Sequence, residues 1–345
     1  MGACGSKAAP GKGAAPATSA KPQAAPKAER KKLNPADYII SKKIGETVIK
    51  EEGTIAGEQF NIEECKDCDI FLLDYIATAF IDDCKGCRIF VGPIESSIFI
   101  RNCSSCSFIV ACQQFRCRDC TDCNLALLCT TEPIIETSEN MKFACFDFNY
   151  FSLRGQLNQA GLKLWNNKWS QVYDFNKNST NPNWSLLPQE EVPKLLNLKA
   201  VAGIVSDEEL QNDRAVPVTL GSRPRPSPES CFVVFLPDSE AFVEAFLAKA
   251  TKTEGWILCR TRATALVEEQ LKGLFAGFKE PKLPSQCKGK EVIGVEVCGG
   301  GIWQKVQDAI SLTGLASGSK NIRVIAEKDT STLAKLFFET WKDEV

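Results

Sequence analysis

Ile62-Glu-Glu-Cys65-Lys-Asp-Cys68-Asp-Ile70-Phe-Leu72 is followed by Ile81-Asp-Asp-Cys84-Lys-Gly-Cys87-Arg-Ile89-Phe-Val91 and then by Ile100-Arg-Asn-Cys103-Ser-Ser-Cys106-Ser-Phe108-Ile-Val110. A fourth copy reads Cys117-Arg-Asp-Cys120-Thr-Asp-Cys123-Asn-Leu125-Ala-Leu127. The first cysteines of the four pairs are 19, 19 and 17 residues apart. Each unit has an acidic residue or Asn before the pair, a short Cys-x-x-Cys corner, and alternating apolar residues after it. Period-2 alternation, repeated with a corner about every 20 residues, is the pattern of a parallel β-solenoid. No 3.6-residue apolar stripe survives through the corners, which argues against helices. Stacked coils bring equivalent positions about 4.8 Å apart, so small apolar thiols form inward ladders. Paired zinc knuckles are the alternative, but knuckles need no apolar register around them. The packed ladder is therefore preferred, with no metal expected; Cys112, Cys117, Cys129 and Cys145 stand in similar apolar contexts.

The repeat is most informative where it breaks. Four residues before each first cysteine stand Asn61, Phe80, Phe99 and then Arg116, in the unit whose spacing shortens by two. The local string is Ala111-Cys-Gln113-Gln114-Phe115-Arg116-Cys117-Arg118-Asp119-Cys120. On a regular strand Gln114, Arg116 and Arg118 share a face. Guanidinium beside amide on a flat face suits a polyanion such as a nucleotide's phosphates. From spacing alone, a solvated outer strand with surface ion pairs fits as well.

Outward from the repeat, the 345-residue chain of 37.9 kDa divides by composition. Residues 1–32 carry seven Lys and Arg against one Glu, a formal +6 that leaves −8 for 33–345. That stretch of Ala, Pro, Gly and Lys cannot bury enough surface to offset its ordering entropy, so 1–33 reads as a flexible basic arm. The block 34–190 holds the repeat, and 191–229 reads as a linker, its end punctuated by prolines at 224, 226 and 228. In 230–345, strand signals at 231–236, 256–260, 292–297 and 322–326 alternate with helix signals at 239–250, 263–278, 301–312 and 330–341. Such alternation fits a compact α/β or ferredoxin-like sheet. Trp165, Trp169, Tyr173, Phe175 and Trp184 read as a core and flap closing the open end of the solenoid. Gly299-Gly-Gly301 before a helix has the form of a phosphate cradle, although a plain strand-to-helix turn explains it equally.

Composition excludes several chemistries. There is no histidine among the residues, which removes His-dependent triads, His bases, His metal ligands and phosphohistidine. The net charge of −2 argues against a nucleic-acid binder. No apolar stretch reaches the roughly 18 residues of a spanning helix. Seventeen cysteines without a signal peptide point to a reducing compartment. The chain opens Met1-Gly2-Ala3-Cys4-Gly5-Ser6, which fits the pattern for myristoylation of Gly2, with Cys4 placed for palmitoylation. One acyl chain holds a membrane only marginally, and Cys4 and Arg30-Lys31-Lys32 supply the further attraction needed.

The Cys-x-x-Cys units, the string Ala-Cys-Gln-Gln-Phe-Arg-x-Arg-Asp-Cys at 111–120 and Pro133-Ile-Ile-Glu136 resemble the tubulin-cofactor-C-like family, whose domain is shared with cyclase-associated proteins. With the Met-Gly-x-Cys start, the resemblance is to its ciliary branch, associated with X-linked retinitis pigmentosa. It implies a multidomain chain: a right-handed parallel β-helix followed by an α/β ferredoxin-like, nucleoside-diphosphate-kinase-like domain. It also implies activation of GTP hydrolysis on an Arf-like small GTPase in its GTP state, at the cytoplasmic face of the plasma membrane and the base of a cilium or flagellum, in the trafficking of lipidated proteins. The family's arginine finger maps onto Arg116, with Gln113 assisting and Glu136 helping to hold the arginine. Contacts to the GTPase or its nucleotide map onto Ser96, Ser97, Gln113, Gln114, Phe115, Arg118 and Phe175. Cys117 stands where an aliphatic residue is common, and Ser96-Ser97 replaces a Gly-Ser pair. The chain is then not itself an enzyme; it needs no cofactor of its own, and the GTP and Mg²⁺ belong to the partner. Without histidine the kinase-like domain lacks its phosphocarrier. A tubulin-folding cofactor or a scaffold using the same surface is the alternative.

Overall fold

The computed structural model describes residues 1–2, 34–177, 180–211, 214–252, 255–312 and 320–341. The chain forms two units, Met1–Asp37 and Tyr38–Val345, and the second carries both blocks discussed below. Gly2 is exposed, whereas Cys4 and the basic cluster at 30–32 lie outside the described residues.

The first block is a coil of parallel strands: β1 (Ile39–Ser41), β2 (Thr47–Lys50), β3 (Phe60–Glu63), β4 (Asp69–Leu72), β5 (Ala79–Asp82), β6 (Arg88–Arg101), β7 (Ser107–Arg118), β8 (Asn124–Cys129), β9 (Ile134–Glu136) and β10 (Met141–Cys145). One ladder runs β1-β3-β5-β6-β7-β9 with Ile40, Ile62, Ile81, Ile100, Cys117 and Ile135 on one inward row. A second runs β2-β4-β6-β7-β8-β10, stacking Val48, Ile70, Ile89, Phe108, Leu125 and Phe143. Ile76, Ile94, Cys112 and Cys129 pair in turn to form a third row. The last coil is closed by β11 (Tyr173–Asp174) beside β9 and β12 (Trp184–Leu186) beside β10.

The corners explain the repeat's chemistry. The residue before each cysteine of a pair is left-handed: Glu64, Asp83, Asn102 and Asp119 before the first, Asp67, Gly86, Ser105 and Asp122 before the second, with φ between 52° and 66°. Glycine and short polar residues enter this region most easily, and β-branched ones enter it rarely. Two more corners lack cysteines. Lys42 and Gly45 make the first, while Thr137 and Asn140 make the last, with Ser138 and Met141 buried in the cysteine positions. The thiols themselves are buried and free, and they donate to neighbouring carbonyls or accept from the preceding coil's amide, as in Cys87 N–H to Cys106 Sγ (3.4 Å) and Cys103 N–H to Cys120 Sγ (3.4 Å). The two-residue shortening falls at one place. Val91–Ile98 of β6 lies against Val110–Phe115 of β7, so the missing residues are in the corner that holds Gln113 and Gln114.

The second sheet's outer side is also apolar, with Phe71, Phe90, Ile109, Ala126 and Ala144 buried there. It is covered by α1 (Leu153–Gln159) and by the segment read from sequence as a linker. Within that segment, 3-10 turns at Gln189–Lys194 and Leu198–Val201 and a short helix, α2 (Asp207–Gln211), break up the chain. Val192, Leu195, Leu196, Val201 and Val216 are buried against the strands, so 191–216 is a packed strap rather than a solvated tether. Only the proline-rich end is without regular structure, and it too is pinned. Arg223 lies 4.7 Å over the Trp169 ring, and Arg225 reaches the buried Glu296 carboxylate at 2.9 Å.

The C-terminal block is a four-stranded antiparallel sheet in the order β14-β15-β13-β16, from β13 (Ser230–Phe235), β14 (Ile257–Ala265), β15 (Glu291–Cys298) and β16 (Ile322–Val324). Helices α3 (Glu240–Lys252) and α6 (Ile302–Leu312) pack Val243, Phe246 and Val306 on one face. Three others, α4 (Glu268–Leu274), α5 (Leu283–Cys287) and α7 (Glu327–Lys335), cover the opposite face with Leu271, Leu283 and Ala334. The helix expected at 263–278 is corrected. Residues 263–265 pair with β15 and continue the strand, so the helix starts only at Glu268, and α5 follows separately.

Candidate functional site

Parallel stacking turns rung neighbours into side-chain neighbours, which decides the partners of Arg88, Arg101 and Arg116. Arg88 is in register with Asp69, and Arg101 with Asp82. Both pairs are bidentate, at 2.5 and 2.9 Å for the first and 2.7 and 2.6 Å for the second. Arg118 holds Asp119 at 3.1 Å. Arg116 is different, since its rung neighbours are Phe99 and Ile134. Eleven arginines lie among the described residues, and ten have a carboxylate or backbone carbonyl partner. The exposed guanidinium of Arg116 is the one without a hydrogen bond or ion pair among those residues.

Its surroundings are apolar along the coil and polar across it. Phe80 and Phe99 stack at 5.1 Å with planes 9° apart, and the same outward row continues through Arg116 to Ile134 and Tyr173. Tyr173 and Phe175 meet edge to face at 5.0 Å and are 51% and 60% exposed. Beside Arg116 opens a cleft of about 290 Å³ whose polar rim is Gln114, Arg116, Thr131, Glu132 and Lys168. Phe115 and Ile134 form its apolar wall.

The residues singled out from sequence fall as follows. Gln114, Arg116 and Arg118 face outward while Phe115 and Cys117 are buried, as period-2 alternation requires. Ser97, also buried, donates to Gln114 Oε1 at 3.2 Å, so these two form one unit; Ser96 is exposed at the corner. Gln113 is exposed, and its carbonyl accepts from the Thr131 amide (3.1 Å) and hydroxyl (3.0 Å), tying the shortened corner to the next coil. Glu136 is in register with Arg118 rather than Arg116, and no ion pair joins it to Arg116 among the described residues. Phe175 sits at the end of the apolar row. Thr131, Glu132, Ile134, Tyr173 and Lys168 were not anticipated. Extending the repeat by its cysteine-free corner at 137–141 locates Ile134 on the Arg116 rung. Nothing in the repeat points to Lys168, which arrives from outside it.

In the C-terminal block the Gly299-Gly-Gly301 turn is already occupied, since the Gly301 amide donates to Glu229 Oε2 at 2.6 Å. A carboxylate therefore sits where a phosphate cradle would place its ligand.

Comparison with known proteins adds a family. The Tubulin binding cofactor C family matches residues 57–175. Protein XRP2 of Homo sapiens is 44% identical over 281 residues, covering 79% of this chain and 79% of that one. Protein XRP2 of Mus musculus is 41% identical over 312 residues, 88% of each chain. Tubulin-folding cofactor C of Arabidopsis thaliana is 33% identical over 162 residues, 46% of this chain and 47% of that one.

Proposed function

The chain belongs to the family of Protein XRP2, and from that premise we propose that it is a GTPase-activating protein supplying Arg116 in trans to an Arf-like small GTPase in its GTP state. One observation supports this most: Arg116 is the arginine without a partner among the described residues, exposed beside a cleft and within an apolar row that suits docking. During phosphoryl transfer, charge develops on the terminal phosphate oxygens and the leaving bridge oxygen. A guanidinium brought in from outside neutralises it, an effect worth roughly 10³–10⁵ in rate. Arginine suits this because it stays charged and its fork spans two oxygens. An arginine already bonded to a carboxylate has to break that bond first; Arg116 has none to break. The stiff ladder fixes its backbone, so little ordering remains to be done at docking. On this reading Gln113, at the shortened corner, bonds near the attacking water, and Ser97 with Gln114 binds the GTPase surface. Glu136, which the resemblance makes a carboxylate helping to hold the finger, stands in register with Arg118 and would take that role only on docking.

The remaining parts of the reading follow from the rest of the chain. Acylation of Gly2 and Cys4 with the basic arm anchors it to the cytoplasmic face of a membrane, at a cilium base, in the traffic of lipidated proteins. The C-terminal block is a ferredoxin-like, nucleoside-diphosphate-kinase-like fold, a reading supported by its β14-β15-β13-β16 order. With no histidine in the chain, phosphohistidine transfer is not open to it. A tubulin-folding role on the same surface is the second reading, favoured by the name of the Arabidopsis thaliana relative.

Single-turnover GTP hydrolysis by Arf-like GTPases, with and without the full chain, tests the proposal. The wild type is expected to accelerate hydrolysis at least about 10³-fold and Arg116→Ala to abolish the acceleration while binding persists. Equal acceleration by the variant removes Arg116 from the mechanism.

A further inference from the structure

We propose that Lys168 is a docking residue of the same cleft. It steers an acidic patch of the GTPase surface onto Arg116 and sets the rate of encounter rather than the rate of hydrolysis. The inference rests on the reading of Arg116 as the finger and adds to it what the partner must carry.

Lys168 is exposed on the cleft rim, and no ion pair or side-chain hydrogen bond holds its ammonium among the described residues. Its backbone, by contrast, is fixed on three sides. Its own N–H donates to the Cys129 carbonyl at 2.8 Å. The preceding Asn167 accepts from the Cys129 amide at 2.9 Å and donates to the Leu127 carbonyl at 2.9 Å. The following Trp169 is buried, with its indole N–H on Thr219 Oγ1 at 3.0 Å. A free cation is thus carried on rigid backbone into the cleft that Arg116 borders.

Charge decides what it attracts. Arg116 and Lys168 against Glu132 leave the rim at +1, on a body whose residues 33–345 sum to −8. An acidic partner surface meets a net negative body over residues 33–345 and a local excess of positive charge at this rim. A lysine ammonium is a strongly hydrated point charge without a fixed fork, suited to long-range attraction more than to bridging phosphate oxygens. Exposed rim charges act chiefly on association and on its salt dependence. Glu132 opposes Lys168 in the same cleft, so its removal has the opposite sign.

The test is stopped-flow association of the full-length chain with an Arf-like GTPase loaded with a fluorescent, non-hydrolysable GTP analogue. At about 50 mM salt, Lys168→Glu is expected to slow association by about five- to tenfold, and at about 500 mM by less than about twofold. Glu132→Gln should speed association by about two- to threefold, and Lys168→Arg should behave as the wild type. Dissociation and hydrolysis in the saturated complex should change by less than about twofold for Lys168→Glu. Wild-type association with an unchanged Lys168→Glu rate overturns this inference alone. A Lys168→Glu loss confined to dissociation or to the saturated hydrolysis rate overturns it too. A wild type that associates with no Arf-like GTPase overturns the proposed function along with it.

Discussion

The side chain at 116 differs from Arg88 and Arg101 in what its rung provides. Those two face an aspartate one coil back, and Arg116 faces Phe99 and Ile134. Placing an acid on that rung should silence it. Ile134→Asp is expected to form the pair seen at Asp82–Arg101 and to lower stimulated hydrolysis by about tenfold or more. Normal stimulation by that variant would mean that the free state of Arg116 does not matter. The outward set Gln114, Arg116 and Arg118 was legible in the sequence because a strand's period is two. The position of Glu136 was not, because register places it on the Asp82, Arg101 and Arg118 row, two residues along from Arg116, and a resemblance carries a role over without that register. Gly221 is a residue with a different constraint. Its φ is +62°, and a Cβ there would lie 2.4 Å from the Trp169 ring, so Gly221→Ala is expected to cost more than about 1 kcal/mol in urea unfolding. Trp169 neighbours Lys168, and that variant should also disturb the cleft rim.

At the scale of elements, one dipeptide joins the two blocks. Asn166 accepts from the Ala263 amide at 2.7 Å and donates to its carbonyl at 3.0 Å, capping part of the edge of β14. Asn167 does the same for β8 through Cys129 and Leu127. Each amide side chain substitutes for a missing strand. Removing the second leaves the Cys129 and Trp169 amides without their acceptor, so Asn167→Ala should destabilise by about 1–3 kcal/mol, read from the denaturant midpoint. An unchanged midpoint contradicts the bracket. Cys-x-x-Cys spacing, polar residues at left-handed corners and apolar register made the coil itself legible, because each obeys a local rule. The strap at 191–216 was not, since its apolar residues follow no period. They are buried because the outer side of the second sheet needs a cover. The strand end at 263–265 was misread for a related reason: pairing with β15 overrides local helix preference.

The whole molecule is built around thiols kept out of water. Burial pushes Cys123 up to about 12, Cys145 to about 11 and Cys231 to about 12. In the unfolded chain a thiol ionises near about 8.5. At these three thiols the native state holds protons that the unfolded state releases, so the stability they contribute is full below about pH 8.5 and is lost as pH rises toward 11–12. The melting temperature should drop steadily between about pH 8.5 and 10.5. A flat or rising melting temperature contradicts this. Against that rigid interior, the proposed activation asks only one part to move, the Arg116 side chain, into a partner's nucleotide pocket. The most direct measurement is the affinity of the full chain for an Arf-like GTPase carrying GDP and aluminium fluoride, compared with the same GTPase carrying a GTP analogue. The account predicts that the transition-state mimic tightens wild-type binding by about 100-fold or more and leaves Arg116→Ala at its analogue affinity. Equal tightening of both proteins by aluminium fluoride would contradict it.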